Sequence, residues 1–593
     1  MEAIEAKILL KNLLKRVRKT SDDAYELNGH LTDDEVAALD LALQALNDFK
    51  QGQPTTPSVS SAGPQPSNAE ASGSETDDSA SVSDTKLREK ANQESKKKDA
   101  EGKEEELQRE SVKLDTSSLD LPSPPEDKRL CLDFGTAMSK VTLVRDQTPD
   151  RGYEDIEVLR LGVPGDQEEI SETMLVSSVF IDGEGMLWFG QMAVQRSQLE
   201  GRDGERQRLD NIKRYLSEEG LGSEVSKKFN PTGQTITYGD MVLAYLMFFT
   251  WTINHCLEDS DEPRNLNRRF AMPCFGGSKA RDATRVLSTM LGEAQVLADT
   301  FFSSLQDGIP LEFFMDAVNK IRSEKRSYDF IKEDITEPLG VAGAIMSWEQ
   351  PVNSLVMVVD VGAGTSDFSL YRLHFDNKSG KSFALEVENS SEGVTEAGNY
   401  LDMLLKGLIL REAGVDSGHP HWINIQGNLA LDLRDYKERL FVDGDVVVRL
   451  FNDQIVNISL DQFLALPQVA KFGESLRECR DRILNRVDSS FIRGAPHGAL
   501  AVALTGGGAS LPMVKELARG TTTAQGTELK LVQTKAFPQW LADEFPDLED
   551  DYPRVAVSLG GAREKIISRG GVAKITAGDI KGTPELGGYY TRG

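Results

Sequence analysis

The sequence predicts an α/β fold, preceded by a helical hairpin and a disordered linker. Three observations carry that expectation. Two Asp-x-Gly turns, Asp133-Phe134-Gly135-Thr136 and Asp360-Val361-Gly362-Ala363-Gly364-Thr365, stand far apart in the chain. Each follows a short apolar run, and apolar residues resume after it. From about residue 128, strand-like runs such as 355–359 and 501–504 alternate with helical stretches. The first 127 residues have a composition unlike the remainder.

Residues 1–50 read as two helices. Leu9, Leu10, Leu13, Leu14 and Val17 share one face of the first, with Lys7, Lys11, Lys15 and Arg18 opposite. Thr32 and Glu35 open the second as a capping box, with Leu31 and Val36 spaced as a hydrophobic staple. Such a hairpin closes on itself or docks a protein partner. A membrane surface fits less well, because the second helix is acidic. Residues 51–127 are rich in Ser, Pro, Thr, Gly and Ala to about 85. A charged tract with Lys96-Lys97-Lys98 and Glu104-Glu105-Glu106 follows. This segment has too little apolar surface to order itself and reads as a disordered linker. The globular part spans 128–565, and a short Gly-rich tail covers 566–593.

The bulk properties exclude several classes. A chain of 593 residues accommodates several domains. A net charge of −28 argues against general nucleic-acid binding, which needs a basic footprint. Four scattered cysteines without a C-x-x-C pair predict neither a zinc site nor a disulfide framework, and fit a reducing cytoplasm. His419 and His421, flanking Pro420, read as a surface turn. No signal-peptide pattern is visible. The uncharged run 241–257 is shorter than the roughly 20 residues a membrane span needs. It contains Asn254 and His255, and reads as a buried helix; no transmembrane segment is expected.

Glycine in the two turns lets backbone N–H groups converge on one small space and lets a phosphate approach closely. Asp133 and Asp360 supply hard oxygens for Mg²⁺, reached through water. Two such turns facing each other would grip a nucleotide phosphate chain from both sides. A third glycine run, Gly506-Gly507-Gly508, precedes Ser510 and Pro512.

With their order and spacing, these motifs resemble the actin-like ATPase superfamily of ribonuclease H-like folds, and within it the DnaK-type heat shock protein 70 family. The resemblance covers roughly 128–565. Leu132-Asp133-Phe134-Gly135-Thr136 is similar to the first phosphate loop of that family. Asp210-Asn211-Ile212-Lys213-Arg214 resembles the segment whose lysine is essential to hydrolysis, a role in which Lys213 orients water and steadies the transferred phosphoryl group. Pro273 matches the family's switch proline, and Arg281 lies at the spacing of its relay arginine. Glu337-Pro338 resembles the start of the first connecting helix, where the carboxylate holds a water on the metal. Proline is also simply a good first-turn residue there.

The segment from Asp360 through Gly362, Ala363, Gly364 and Thr365 to Asp367 is the closest motif match. It implies phosphate contacts from the turn and water orientation by Asp367. Gly398 falls where the family places glycine against the terminal phosphate. Gly506, Gly507 and Gly508 with Ser510 resemble the adenosine loop, and Lys437 the ribose- and base-facing lysine. The chain departs from the family at Ala137, Ser510, Glu438 and Phe441, where threonine, arginine, arginine and serine are usual, so the phosphate chemistry is expected to be kept and the base pocket rebuilt. A helical insertion is expected over roughly 302–330. Few residues follow 565, so peptide clamping by a β domain and lid is not carried over. The resemblance implies two lobes, each with a central sheet flanked by helices, forming an ATP- and Mg²⁺-dependent, slowly hydrolysing switch that alternates between ATP and ADP; the cysteine usage adds a cytoplasmic location, and the amphipathic N-terminal hairpin a protein partner. A nucleotide-sensing scaffold with little hydrolysis and an actin-like filament protein remain open alternatives; a sugar or acetate kinase is the weakest.

Overall fold

A computed structural model describes residues 17–19, 25–27, 111–146, 154–217, 220–274, 278–346, 352–376, 381–535 and 537–563. The chain divides into two compact units, Met1–Leu107 and Gln108–Gly593. In the first unit, Val17–Lys19 and Tyr25–Leu27 form an antiparallel strand pair. This corrects part of the helical-hairpin expectation, since Val17 and Arg18 stand in a strand and not on a helix. A β-branched residue in one segment and a tyrosine in the other favour extended backbone. The rest of the expected hairpin, its capping box included, lies outside the described residues, as do residues 51–110 of the linker and the 566–593 tail.

The linker ends earlier than composition suggests. Residues 111–127 lie against the globular body: Val112, Leu114 and Leu119 pack on its core. The Val112 N–H donates to Asp316 (2.9 Å) and the Asp115 N–H to Thr300 Oγ1 (2.9 Å). Three apolar side chains at wide spacing, with these hydrogen bonds, seat the segment and its short 3-10 turn at Ser117–Asp120 on the body, although they leave no periodic signal.

The second unit is a mixed α/β structure built around two large sheets. The first contains β1 (Lys128–Asp133), β2 (Met138–Arg145), β3 (Asp155–Val158), β4 (Asn267–Met272) and β5 (Ile331–Thr336). Its order is β3-β2-β1-β4-β5; β1, β2 and β3 pair antiparallel, whereas β4 is parallel to both β1 and β5. The second contains β6 (Val352–Val361), β7 (Ser366–Asp376), β8 (Lys381–Glu386), β9 (Ala499–Thr505) and β10 (Thr527–Gln533). It repeats the scheme as β8-β7-β6-β9-β10, with the same strand senses. The continuous apolar run that predicts a strand at 355–359 belongs to β6, a central strand buried on both faces over that stretch.

The helices follow from their side chains. Helix α1 (Tyr238–Asp259) contains the uncharged run 241–257 and is buried along nearly its whole length. A capping box of Thr237 and Asp240 starts it. No helix among the described residues is long and apolar enough to cross a membrane. Helix α2 (Ser278–Thr300) packs on α1, and α3 (Leu311–Ser323) lies in the expected insertion with Phe314, Ala317, Val318 and Ile321 buried. Helix α4 (Glu337–Ile345) leaves β5 with Pro338 in its first turn. Helices α5 (Gly398–Glu412) and α6 (Trp422–Asp443) belong to the second sheet's layer. Helix α7 (Tyr552–Ala562) closes the described chain.

Helices α4 and α7 join the two sheets. A Cβ at Gly340 would stand 2.5 Å from the Val557 carbonyl oxygen, and one at Gly560 would fall on the Gly340 carbonyl. Backbones therefore touch at the crossing, which only glycine permits. Thr142 and Ser558 hydroxyls meet at 2.9 Å beside it. Arg563, fully buried, donates to the C-terminal carbonyls of α4 at Gly343 (2.9 Å) and Met346 (2.6 Å) and pairs with buried Glu154 (3.0 Å). Gly560→Val should cost about 3 kcal/mol or more of unfolding free energy, because backbone cannot yield as a side chain does. Urea denaturation of the variant checks this; an unchanged midpoint would contradict the crossing.

Candidate functional site

The hairpins β1–β2 and β6–β7 present their aspartates alike. Asp133 ends β1 and stands directly opposite Lys140 on β2; Asp360, near the end of β6, stands opposite Asp367 on β7. In each case the partners stand seven positions apart, so the two hairpins turn in the same register. Both aspartates lie at the carboxyl ends of central strands, where open α/β sheets gather their ligand groups. The turns face each other: a Cβ at Gly364 would lie 3.1 Å from Thr136 Oγ1. In the second turn the Gly362 N–H donates to the Thr365 carbonyl (2.9 Å).

The neighbouring strand ends complete the cluster. Glu337 opens α4 and forms a buried ion pair with Lys213. Lys213 reaches it from a turn between Leu209–Asp210, which pairs with Ser178–Val179, and a short helix at Arg214–Ser217. Asn211 (φ 57°) lets the chain turn there, a conformation asparagine tolerates better than most residues. Lys140 Nζ lies 3.1 Å from Asp133. Asp367 accepts from Thr365 Oγ1 (2.7 Å) and from the Cys274 N–H (3.3 Å), just past the end of β4. Pro273, directly after β4, is buried.

The glycine contacts place the remaining residues. The Gly398 N–H donates to the Gly362 carbonyl (3.1 Å) and the Asn399 N–H to Ala363 (2.7 Å), seating the start of α5 on the second turn. Lys437, from α6, pairs with Asp402 (2.8 Å) and donates to the Gly398 carbonyl (3.2 Å). Gly506 (φ +81°) lies hard against Asp360, where any Cβ would displace the carboxylate. The Gly508 N–H donates to Val361 O (2.9 Å), while Gly507 is open. Ser510 is exposed beyond them, and Arg281 is exposed on α2; neither is brought into the carboxylate cluster. Phe441, one of the departures, packs edge-on against Phe463 (5.9 Å between centroids) and serves the core. His419 and His421 sit in the expected surface turn.

Lys140 is a member that sequence reasoning missed. Overlaying the two Asp-x-Gly turns puts it at the place of Asp367, and that seven-residue spacing is the signal that finds it. Asp133, Glu337, Asp360 and Asp367 are all buried. Four carboxylates thus share the space with two ammonium groups. Burial and the charges of Glu337, Asp367 and Asp133 push Asp360 well above the usual aspartate range, with Lys140 opposing. Burial, then Glu337, raise Asp367 to about 6, against the pull of Thr365, the Cys274 N–H and Lys213. Burial alone would lower the Lys213 ammonium, but Glu337, Asp133 and Asp367 raise it overall.

The surplus of negative charge suits a divalent cation. Among the described residues no three His, Cys, Asp or Glu side chains converge as metal ligands. A cavity of about 290 Å³ lies beside the Lys213 segment, lined in part by Asp210, Asn211, Arg214 and Leu431; it is not formed by the glycine turns.

No protein-family model matches the chain, and no curated protein matches it.

Asp367 binds its proton more tightly in the folded state than its usual value near 3.8 allows, so its contribution to stability is full below that pH and is lost as pH rises through about 6. Asp367→Asn should therefore gain stability relative to the parent as pH rises from about 4 to 6. Urea midpoints across that window test this; a gap independent of pH would contradict it.

Proposed function

We propose that the chain binds ATP with Mg²⁺ between its two Asp-Gly turns and hydrolyses it slowly, as a two-lobed actin-like ATPase of the heat shock protein 70 type. The observation that carries the reading is the repeated sheet. Two sheets of one strand order each end their first hairpin in an aspartate-glycine turn, and the turns meet at Thr136 and Gly364. The surplus of buried carboxylate supports it, since a folded protein retains such a surplus where a cation offsets it.

The cation, when bound, supplies positive charge to the β- and γ-phosphates of the substrate. Asp133 and Asp360 would hold its water shell, and Glu337 one further water. Gly135, Thr136, Gly362, Ala363, Gly364 and Thr365 offer backbone N–H and hydroxyl groups to the phosphates. Lys140 lies beside the first turn, ready for a phosphate oxygen. Lys213, kept charged by Glu337, steadies the charge that grows on the transferred group. Asp367, its carboxylate oxygens fixed by Thr365 and the Cys274 N–H, orients the attacking water and takes its proton. Gly398, Gly506, Gly507 and Gly508 let the backbone come close to the nucleotide.

A second reading, a nucleotide-sensing scaffold with little hydrolysis, draws on the base pocket. Lys437 is engaged by Asp402 and Gly398, Ser510 is exposed, and Phe441 is committed to packing. Phosphate release separates the two. With Mg²⁺ and ATP the full chain should turn over, and Asp360→Asn and Asp367→Asn should each lower kcat by about 10²–10³-fold. Both should keep or raise the melting temperature, because each removes a repelled carboxylate. Turnover unchanged in both variants would refute the site; ATP binding without phosphate release in the parent would favour the scaffold.

A further inference from the structure

Beside the Lys213 segment, residues 207–214 and helix α6 enclose a cavity of about 290 Å³. Leu209, Phe229, Ala430 and Leu431 make its apolar wall. Two elements remote in sequence meet around it. Gly204 and Gly427 touch backbone to backbone, Arg208 donates to the Leu431 carbonyl (2.7 Å), Gln198 to Asp432 (2.9 Å), and Arg434 to Asn211 Oδ1 (3.3 Å).

The polar groups facing the cavity are mostly donors. Arg208 and Asp210 neutralise each other in an ion pair (2.9 Å), and Asp210 also accepts from Ser178. That leaves Arg214, exposed at the rim, as the lining charge without a carboxylate partner among the described residues. Its guanidinium donates to Tyr215 OH (2.8 Å) and lies over the Tyr215 ring, which uses one of its five N–H groups among the described residues. The Asn211 amide accepts from Arg434 and keeps its own NH₂, and Gln207 adds a second amide. A half-open, mainly polar groove with an apolar floor, several N–H donors and an exposed arginine that has no carboxylate partner among the described residues suits an anion carried on a short body.

We propose that this cavity is a binding site for a small oxyanion-bearing metabolite, carrying a phosphate or a carboxylate group, distinct from the space between the glycine turns. The bound anion takes N–H donors from Arg214, Asn211 and Gln207, and its body lies on Phe229 and Leu431. Asn211 stands two residues from Lys213, and α6 also carries Lys437, so occupancy ties the lysine segment to that helix. The inference rests on the cavity and holds whether or not the glycine turns bind nucleotide.

Thermal melting of the full chain in sodium phosphate, sodium malonate and sodium chloride at equal ionic strength tests it. At least one of phosphate and malonate should raise Tm by about 2–4 °C over chloride at saturation, and which of them does so tells phosphate from carboxylate. Arg214→Gln and the cavity-filling Ala430→Trp should each abolish that rise while leaving Tm in chloride within a few degrees of the parent. Should Ala430→Trp not fold, Arg214→Gln alone decides. No rise with either anion would overturn the proposal. So would a rise that survives the variants, because the anion would then be held elsewhere, the glycine turns included.

Discussion

Burying carboxylates beside one another is costly, and the second unit buries four of them at one place. Asp133, Glu337, Asp360 and Asp367 are 5, 9, 8 and 2 % exposed. Lys213 and Lys140 offset part of that charge through ion pairs with Glu337 and Asp133. The rest shows as the upward displacement of Asp360 and Asp367. A protein that needed only stability would place apolar residues here. The arrangement makes sense if a cation and a phosphate chain complete it, and the strand ends, tight turns and helix starts around it serve to aim these groups.

The fold supplies that aim by repetition. Two sheets of one strand order bring Asp133 and Asp360 to equivalent positions, and the α4–α7 crossing fixes one sheet against the other. The crossing depends on Gly340 and Gly560, and Arg563 locks it by filling the carbonyls at the end of α4. Glu337 starts the same α4 that makes this contact. Any relative movement of the sheets therefore reaches the Lys213–Glu337 pair through one short helix, which is how nucleotide state would be passed outward under the proposed reading.

Much of this was legible in the chain. The Asp-x-Gly turns, the Glu337-Pro338 helix start, the buried helix over 241–257 and the strands at 355–359 and 501–504 have strong local signals, and the structure carries them. What was not legible depends on partners distant in sequence. Lys140 looks like an ordinary strand residue until the register sets it opposite Asp133. The end of the linker is fixed by Val112, Leu114 and Leu119 meeting a surface that helices α2 and α3 help to build. The strand at Val17–Lys19 shows the limit of helical periodicity, because leucines at helical spacing before it do not decide the conformation that follows. The pair Arg563–Glu154 joins residues over 400 positions apart and has no local pattern at all.

The central claim is that the buried carboxylates receive a metal-bound nucleotide. Calorimetric titration of ATP into the full chain near pH 6, with and without Mg²⁺ and in two buffers of different ionisation enthalpy, addresses it most directly. The account predicts saturable 1:1 binding that requires Mg²⁺ and releases protons, because a cation beside Asp360 and Asp367 lowers both. Absence of binding, or binding indifferent to Mg²⁺ with no proton release, would contradict it.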